Sequence, residues 1–211
     1  FALTAIGPLS AIFDLHHTDL YIKNKANESQ IKLAIKYYTA AISDEGALDA
    51  STGILKSYYY YGKYVLQNND AKKKIFNKAV SLGEKFIIDY PESPGIRYWY
   101  LVNLGSWAEA YGILKAAREG VSDIMKEQSE KIIDLAKENN VNVFSSPLLA
   151  RALYFTSEIG SEISEKLYSA VAAILAYVFK INQGEDLSSP EIEFPKELYF
   201  DEYGNKLNGG L

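Results

Sequence analysis

Apolar residues recur every three or four positions through most of the chain, which is the spacing of amphipathic helices. The first such run places Ile31, Ile35 and Tyr38 on one face, and Gly46 follows it as a stop signal. The turn at 68–70 supplies a helix cap, and the prolines and glycine of 90–95 form a breaker. The pattern predicts seven helices, at residues 28–44, 47–67, 71–89, 97–118, 122–138, 147–159 and 161–181.

The helix predicted at 97–118 differs from the others because it is almost free of charge. Glu109 is the only charged residue between Arg97 and Lys115, so nearly every side of this helix suits an interior. Its bulky side chains follow one face, which comprises Tyr100, Leu104, Trp107, Tyr111, Leu114 and Arg118. A mostly small stripe follows the next face, which comprises Leu101, Gly105, Ala108 and Gly112. A glycine inside a helix costs about 1 kcal/mol against alanine, so two of them indicate that a neighbouring helix comes close. We therefore predict that this helix is central to the fold.

The helices repeat a pairwise design. Two of them share the spacings Tyr58-x2-Tyr61-Gly62-x2-Val65 and Leu101-x2-Leu104-Gly105-x2-Ala108, which match the first helix of a tetratricopeptide repeat in shape. The second helices recur at intervals longer than the usual repeat of about 34 residues, which indicates degenerate repeats. We predict an all-α fold, a tetratricopeptide-like α-solenoid of degenerate helix pairs with a partly extended C-terminal tail. An irregular helical bundle is the alternative.

Charge and apolar content divide the chain into three regions. Residues 1–27 begin with an uncharged apolar run, 1–13, which suits either the tail of a signal peptide or a first packed segment. Residues 28–181 form the predicted helical repeat domain. Residues 182–211 carry seven acidic residues against two lysines, and this difference of −5 equals the net charge of the chain. We predict an acidic, extended tail that aromatic residues hold to the body, namely Phe194, Tyr199, Phe200 and Tyr203.

Composition excludes several classes of function. The balanced body offers no basic face for nucleic acid, and the absence of cysteine excludes disulfides and thiolate metal sites. His16 and His17 are the only histidines, and adjacent side chains point to different sides of an element, so they make a poor metal pair. No G-x-S-x-G, H-E-x-x-H or phosphate-cradling glycine loop is present. We predict a non-enzymatic protein with no metal, no cofactor and no nucleic-acid partner.

Aromatic residues are the strongest candidates for a binding surface. The chain has 17 tyrosines and two tryptophans, and stacked helix pairs leave a concave surface lined by the first helix of each pair. Aromatic side chains combine apolar area with a polar tip, which suits a peptide or an amphipathic ligand. The candidate binding residues are Tyr58, Tyr61, Trp99, Tyr100, Asn103, Trp107, Tyr111 and Arg118. For each aromatic residue the alternative is a place in the core. The candidate clamps for a carboxylate ligand are the three arginines, Arg97, Arg118 and Arg151.

One stretch carries a more specific resemblance. The block Tyr90-Pro91-Glu92-Ser93-Pro94-Gly95, followed by Tyr98-Trp99-Tyr100, Asn103-Leu104-Gly105-Ser106-Trp107-Ala108 and Gly112, resembles the T component family of TRAP-type transporters. The later block Leu148-Leu149-Ala150-Arg151-Ala152-Leu153-Tyr154 resembles the start of the next helix in that family. The resemblance covers roughly residues 28–160. The chain departs from it by having no cysteine for a lipid anchor, no glycine-rich turn after Gly160 and an additional acidic tail.

The resemblance implies a bacterial periplasmic protein that binds the solute-binding subunit of a TRAP-type transporter, together with an apolar, amphipathic or carboxylate ligand. Membrane association would then require an anchor outside this sequence, and a homo-oligomer is compatible with the same reading. A general tetratricopeptide-type adaptor for peptides or for envelope assembly is the alternative. A third hypothesis, an unfamiliar hydrolase, requires a pocket carboxylate without a lysine partner.

Overall fold

The described part of the chain is helical. The computed structural model describes residues 28–42, 47–141, 143–157, 162–185, 192–201 and 203–207, so the segment predicted at 1–27 lies outside the described residues. Within these ranges the only β-type pairing is a single antiparallel bridge between Phe200 and Lys206. The all-α class is therefore confirmed, whereas a solenoid of the tetratricopeptide type is not.

The chain divides into two compact units between Asn139 and Asn140. Unit 1 precedes this point and unit 2 follows it. The domain boundaries predicted at 27/28 and 181/182 stay predictions.

Unit 1 contains six described α-helices and one π-helical turn. They are α1 Glu28–Ala41, α2 Ala47–Tyr60, the π-turn Tyr61–Val65, α3 Asn69–Asp89, α4 Pro94–Tyr111, α5 Ile113–Arg118 and α6 Val121–Glu138. Two of these helices, α3 and α4, begin next to the capping signals in the sequence. The Asn68 side chain accepts a hydrogen bond from the Ala71 amide at 3.0 Å, and Ser93 accepts one from the Ile96 amide at 3.3 Å with Pro94 in the first turn.

The helix predicted at 97–118 is central, as expected, but it is not continuous. Helix α4 packs against α2, α3 and α6. It ends where Gly112 takes φ 89° and ψ 157°, a conformation that glycine adopts and other residues avoid. Leu114 and Arg118 fall beyond this break on α5, where Leu114 is 77% exposed. The bulky stripe of the central helix therefore stops at Tyr111.

The small stripe of the central helix is not where a neighbouring helix comes closest. A Cβ atom added at Gly105 would meet only the Cε of Met125, at 3.8 Å, which is an ordinary contact distance. A Cβ added at Gly83 of α3 would lie 2.5 Å from the Tyr100 ring. The glycine that allows α3 and α4 to pack closely is therefore on α3, and the prediction for Gly105 is wrong.

Unit 2 contains α7 Pro147–Thr156, α8 Tyr168–Asn182 and two 3-10 turns, Glu165–Leu167 and Lys196–Leu198. Helix α8 begins later than predicted, because residues 162–164 precede it without helical structure. The core of the unit comprises Leu149, Ala152, Leu167, Ala170, Leu198 and Phe200. Two of these core residues belong to the predicted acidic tail, so part of the tail packs into this unit.

Three of the four aromatic residues predicted to hold this tail pack within unit 2. Phe200 is buried, and its carbonyl accepts a hydrogen bond from Arg151 Nε at 2.8 Å. Phe194 and Tyr199 are partly buried and lie with ring centroids 5.5 Å apart. Tyr203 is 80% exposed, and its part in holding the tail stays a prediction.

Candidate functional site

The eight candidate residues fall into separate environments in unit 1. Tyr58 and Asn103 are almost completely buried. Asn103 Nδ2 donates to the carbonyl of Leu55 on α2, at 3.0 Å, and to that of Trp99 on α4, at 2.8 Å. Asn103 therefore joins two helices, and neither it nor Tyr58 forms an open binding surface.

Tyr61 and Trp99 belong to an aromatic cluster around α1 and α2. Trp99 is partly buried, with its ring centroid 6.0 Å from those of Tyr59 and Tyr60. The Tyr61 hydroxyl lies 3.5 Å from Glu28 Oε1 in a long hydrogen bond. These contacts are mainly edge-to-face and tilted packing, which is how aromatic side chains stabilise helix pairs.

Tyr100, Trp107 and Tyr111 are brought together on α4. Trp107 and Tyr111 have ring centroids 4.6 Å apart. Asn77 of α3 holds both, because its Oδ1 accepts from Trp107 Nε1 at 2.6 Å and its Nδ2 donates to the Tyr111 hydroxyl at 2.8 Å. Tyr100 and Trp107 form part of the wall of a cavity of about 240 Å³. The remaining lining residues are Asn77, Val80, Ser81, Glu84, Leu104, Glu119, Val121 and Ile124.

This cavity is an unfavourable place for negative charge. Burial, together with the carboxylates of Glu84 and Glu127, raises the pKa of Tyr100 to about 12. Tyr100 therefore stays neutral at physiological pH and can donate its hydroxyl proton.

The arginines do not form a common clamp. Arg97 is buried and donates from Nε and Nη2 to the Pro91 carbonyl, at 3.2 and 2.7 Å, and from Nη1 to Gln128. Arg151 is committed to Phe200 in unit 2. Arg118 is exposed on α5. Two of the three guanidinium groups thus make hydrogen bonds within the fold. Among the described residues no group of three or more histidine, cysteine or acidic side chains could hold a metal ion.

A surface that the candidate list did not include lies on α8 of unit 2. Tyr168, Leu175 and Phe179 stand at i, i+7 and i+11, which places them along one helix face. Their exposed fractions are 48%, 63% and 64%. Ala170, near the start of the same helix, is buried in the unit's core. We call Tyr168, Leu175 and Phe179 the α8 face, and exposed apolar side chains that share one helix face make it a candidate interaction surface.

Comparison with known proteins finds a similarity over part of this region. Residues 122–178 match the FlhB HrpN YscU SpaS family. The match begins in α6, includes α7 and ends in α8, so it covers Tyr168 and Leu175 of the α8 face. The chain is 50% identical over 50 residues to the flagellar biosynthetic protein FlhB of Aquifex aeolicus, which is 24% of this chain and 14% of that protein. It is 42% identical over 80 residues to FlhB of Buchnera aphidicola from Acyrthosiphon pisum, 35% of this chain and 21% of the relative.

A related apparatus protein shows the same similarity. The secretion system apparatus protein SsaU of Salmonella typhimurium is 36% identical over 63 residues, which is 30% of this chain and 18% of that protein. The chain therefore spans only a minor part of the length of these relatives. No solved structure matches the chain.

These findings overturn the resemblance to the T component family of TRAP-type transporters. The block Leu148-Leu149-Ala150-Arg151-Ala152-Leu153-Tyr154, assigned to that family, lies inside the FlhB-family match. The predicted solute-binding partner and the periplasmic location depended on the transporter resemblance, so they are wrong as well. The adaptor alternative, which assumed tetratricopeptide repeats, has no support in these relatives. The sequence interpretation thus used a block from the matched range but compared it with another family.

The described helices show no membrane-spanning segment, since none of them is both long and apolar enough to cross a bilayer.

Proposed function

We propose that this chain acts in a flagellar or related protein-secretion apparatus, and that residues 122–178 carry the activity. The observation behind the proposal is the match of this range to the FlhB HrpN YscU SpaS family, whose relatives include flagellar biosynthetic and secretion apparatus proteins. The range ends one residue short of Phe179 and takes in most of the described helical part of unit 2.

The activity is one of binding rather than catalysis. Tyr168 and Leu175 lie within the matched range with much of their apolar surface exposed. The α8 face is the contact surface for a protein of the apparatus. A leucine that buries its side chain on binding contributes about 1.5–3 kcal/mol, enough to change affinity at least tenfold.

Residues 28–121 lie outside the matched range and add a helical body to it. We infer that α1 to α4 form a short α-solenoid, since α1 packs on α2, α3 packs on α4, and α4 also contacts α2.

The proposal is tested with the full chain, tagged and expressed in its own bacterium. Chemical crosslinking and affinity purification should recover flagellar or secretion apparatus proteins. Leu175→Glu should abolish most of this recovery, because it places a charge in the centre of the α8 face. Leu114→Glu is the matched control, since Leu114 is also a well-exposed leucine but lies on α5 outside the matched range.

A second measurement tests function in the cell. Deletion of the gene should reduce secretion of flagellar or effector proteins into the medium, and the Leu114→Glu chain should restore it while the Leu175→Glu chain should not. Recovery of no apparatus protein together with normal secretion in the deletion strain would rule out the proposal.

A further inference from the structure

The cavity of unit 1 lies outside the range that matches the export family, apart from Ile124, and its chemistry is distinct. Its walls come from α3, α4 and α6 and from Glu119 just before α6. Tyr100, Leu104 and Trp107 supply an aromatic and apolar floor. Glu84 and Glu119 supply the only ionisable charges among the lining residues, and both are exposed at its rim.

The rim carboxylates have no counter-ion of their own. In the described part of the chain neither Glu84 nor Glu119 forms an ion pair, although Lys63, Lys73 and Lys166 do so elsewhere. Lys115 lies beside the floor, with its Nζ 5.7 Å from the Trp107 ring centroid and 4.6 Å from that of Tyr111. Lys115 does not line the cavity, so the ionisable groups at the opening are the two carboxylates.

A nearly buried tyrosine also lines this space. Tyr100 has only 3% of its surface exposed and lies on the cavity wall. The charged groups that act on its hydroxyl are the carboxylates of Glu84 and Glu127, and both raise its pKa. The surroundings of this wall are therefore acidic.

We propose that this cavity binds an alkylammonium group, with the apolar stem on the Tyr100, Leu104 and Trp107 floor and the charged end between Glu84 and Glu119. Aromatic rings attract cations through their faces, and the rim carboxylates add charge-assisted hydrogen bonds. The volume of about 240 Å³ is below the roughly 300–1,000 Å³ of ordinary ligand pockets, so the site takes one small amine or one lysine side chain.

Other uses of the cavity fit its geometry less well. A metal ion would require a cluster of ligands, and none is found among the described residues. The hydrolase hypothesis asked for pocket carboxylates without a lysine partner, which this cavity has. Both carboxylates are exposed at the rim, however, and an exposed carboxylate suits the attraction of a cation better than proton transfer.

The first experiment compares a charged probe with a neutral one of the same shape. Pentylammonium is titrated into the full chain and followed by tryptophan fluorescence, because Trp107 lines the cavity. We expect saturable binding that weakens as salt is raised from 150 to 500 mM, since screening reduces attraction between exposed charges. 1-Pentanol, which lacks the charge, should bind at least tenfold more weakly. Equal binding of the two probes would overturn the proposal.

The second experiment uses variants. Glu84→Gln and Glu119→Gln should each weaken pentylammonium binding about two- to fivefold, the range expected for an exposed ion pair, and together more than either alone. Glu130→Gln is the matched control, because Glu130 is exposed on α6 and does not line the cavity. Wild-type affinity in the double variant would refute the site, provided that circular dichroism shows the variant folded.

A third arm identifies the source of the amine. N-acetyl-lysine amide is compared with pentylammonium and with its side-chain-acetylated form. Tighter binding of the lysine derivative indicates a peptide partner, whereas tighter binding of pentylammonium indicates a free amine, and either ranking supports the site. Undiminished binding of the acetylated form would contradict it. Failure in these assays leaves crosslinking through the α8 face unaffected, so the two proposals are tested separately.

Discussion

Replacing Asn103 by aspartate tests how α2 and α4 are joined. The two side chains have nearly the same shape, but the Nδ2 group that donates to the carbonyls of Leu55 and Trp99 becomes an oxygen. An ionised carboxylate would face two carbonyl oxygens at a fully buried position. Burial of this kind favours the neutral acid, so we expect the aspartate to have a raised pKa in the folded state.

The size of the effect follows from the two protonation states. Loss of one or both hydrogen bonds costs about 1 kcal/mol each. Holding the acid neutral at pH 7, against an unfolded pKa of about 3.9, costs at most about 4 kcal/mol, since each pH unit corresponds to about 1.4 kcal/mol. We expect Asn103→Asp to destabilise unit 1 by about 3–5 kcal/mol at pH 7. Below about pH 4 both states bind the proton, so the penalty should shrink to about 1 kcal/mol there.

Tryptophan fluorescence is the suitable probe, because Trp99 and Trp107 are the only tryptophans and both lie in unit 1. Urea unfolding is measured at pH 4 and pH 7 for the wild type, Asn103→Asp and Asn103→Ala. The alanine variant removes the same bonds without adding an acid, so its loss of about 2 kcal/mol should not depend on pH. A loss in Asn103→Asp that equals the alanine value at both pH values would refute the buried-donor reasoning.

Three further predictions test other parts of the structure. Burial raises the pKa of Tyr100 to about 12, so this tyrosine ionises first in the unfolded state as pH rises above 10, and the free energy of unfolding falls. In urea titrations at pH 11 the wild type should have lost about 1.4 kcal/mol more of this free energy than Tyr100→Phe. Gly112→Ala should lower the free energy of unfolding by about 1–3 kcal/mol and Gly120→Ala by about 1–2 kcal/mol. Both losses come from the positive φ angle, since no atom lies within 4 Å of either added Cβ. Unchanged stability in both variants would contradict the positive φ angles. Arg151→Met removes the hydrogen bond to Phe200 and should speed amide exchange over residues 194–201 in mass spectrometry, whereas unchanged exchange would show that the bond does not hold the tail.

The helices of unit 1 were largely predictable because their signals are local. Apolar spacing and the caps at Asn68 and Ser93 act within one turn, so a single sequence displays them. The break at Gly112 was missed because glycine within an apolar helical pattern is compatible with both close packing and termination. Only the neighbouring helix distinguishes them, and the close contact is at Gly83.

The candidate binding residues were less predictable. Aromatic residues occur both in protein cores and on ligand-binding surfaces, so the sequence does not distinguish the two. Tyr58 is buried and Trp99 is only partly buried, a difference that arises when the helices pack. The cavity depends on Glu84 and Glu119, which are ordinary surface residues in the sequence and meet Tyr100 only through the packing of α3, α4 and α6. Whether the eight candidates bind a ligand stays a prediction.

The resemblance to a transporter component was wrong because it depended on helix-forming blocks made of common residues. The block at 148–154 is rich in leucine and alanine, which many helical families share. It lies inside the range 122–178, which is similar to the FlhB HrpN YscU SpaS family instead. The uncharged stretch 167–179 lies in the helix predicted at 161–181, and its Leu175 is 63% exposed.

The division between Asn139 and Asn140 affects how the part that matches the FlhB HrpN YscU SpaS family should be isolated. The matched range 122–178 crosses this point, so a fragment that starts at 140 would leave all of α6 behind. Pull-down baits and crystallisation fragments should therefore begin before Val121, and a bait that begins later tests an incomplete version of the homologous region.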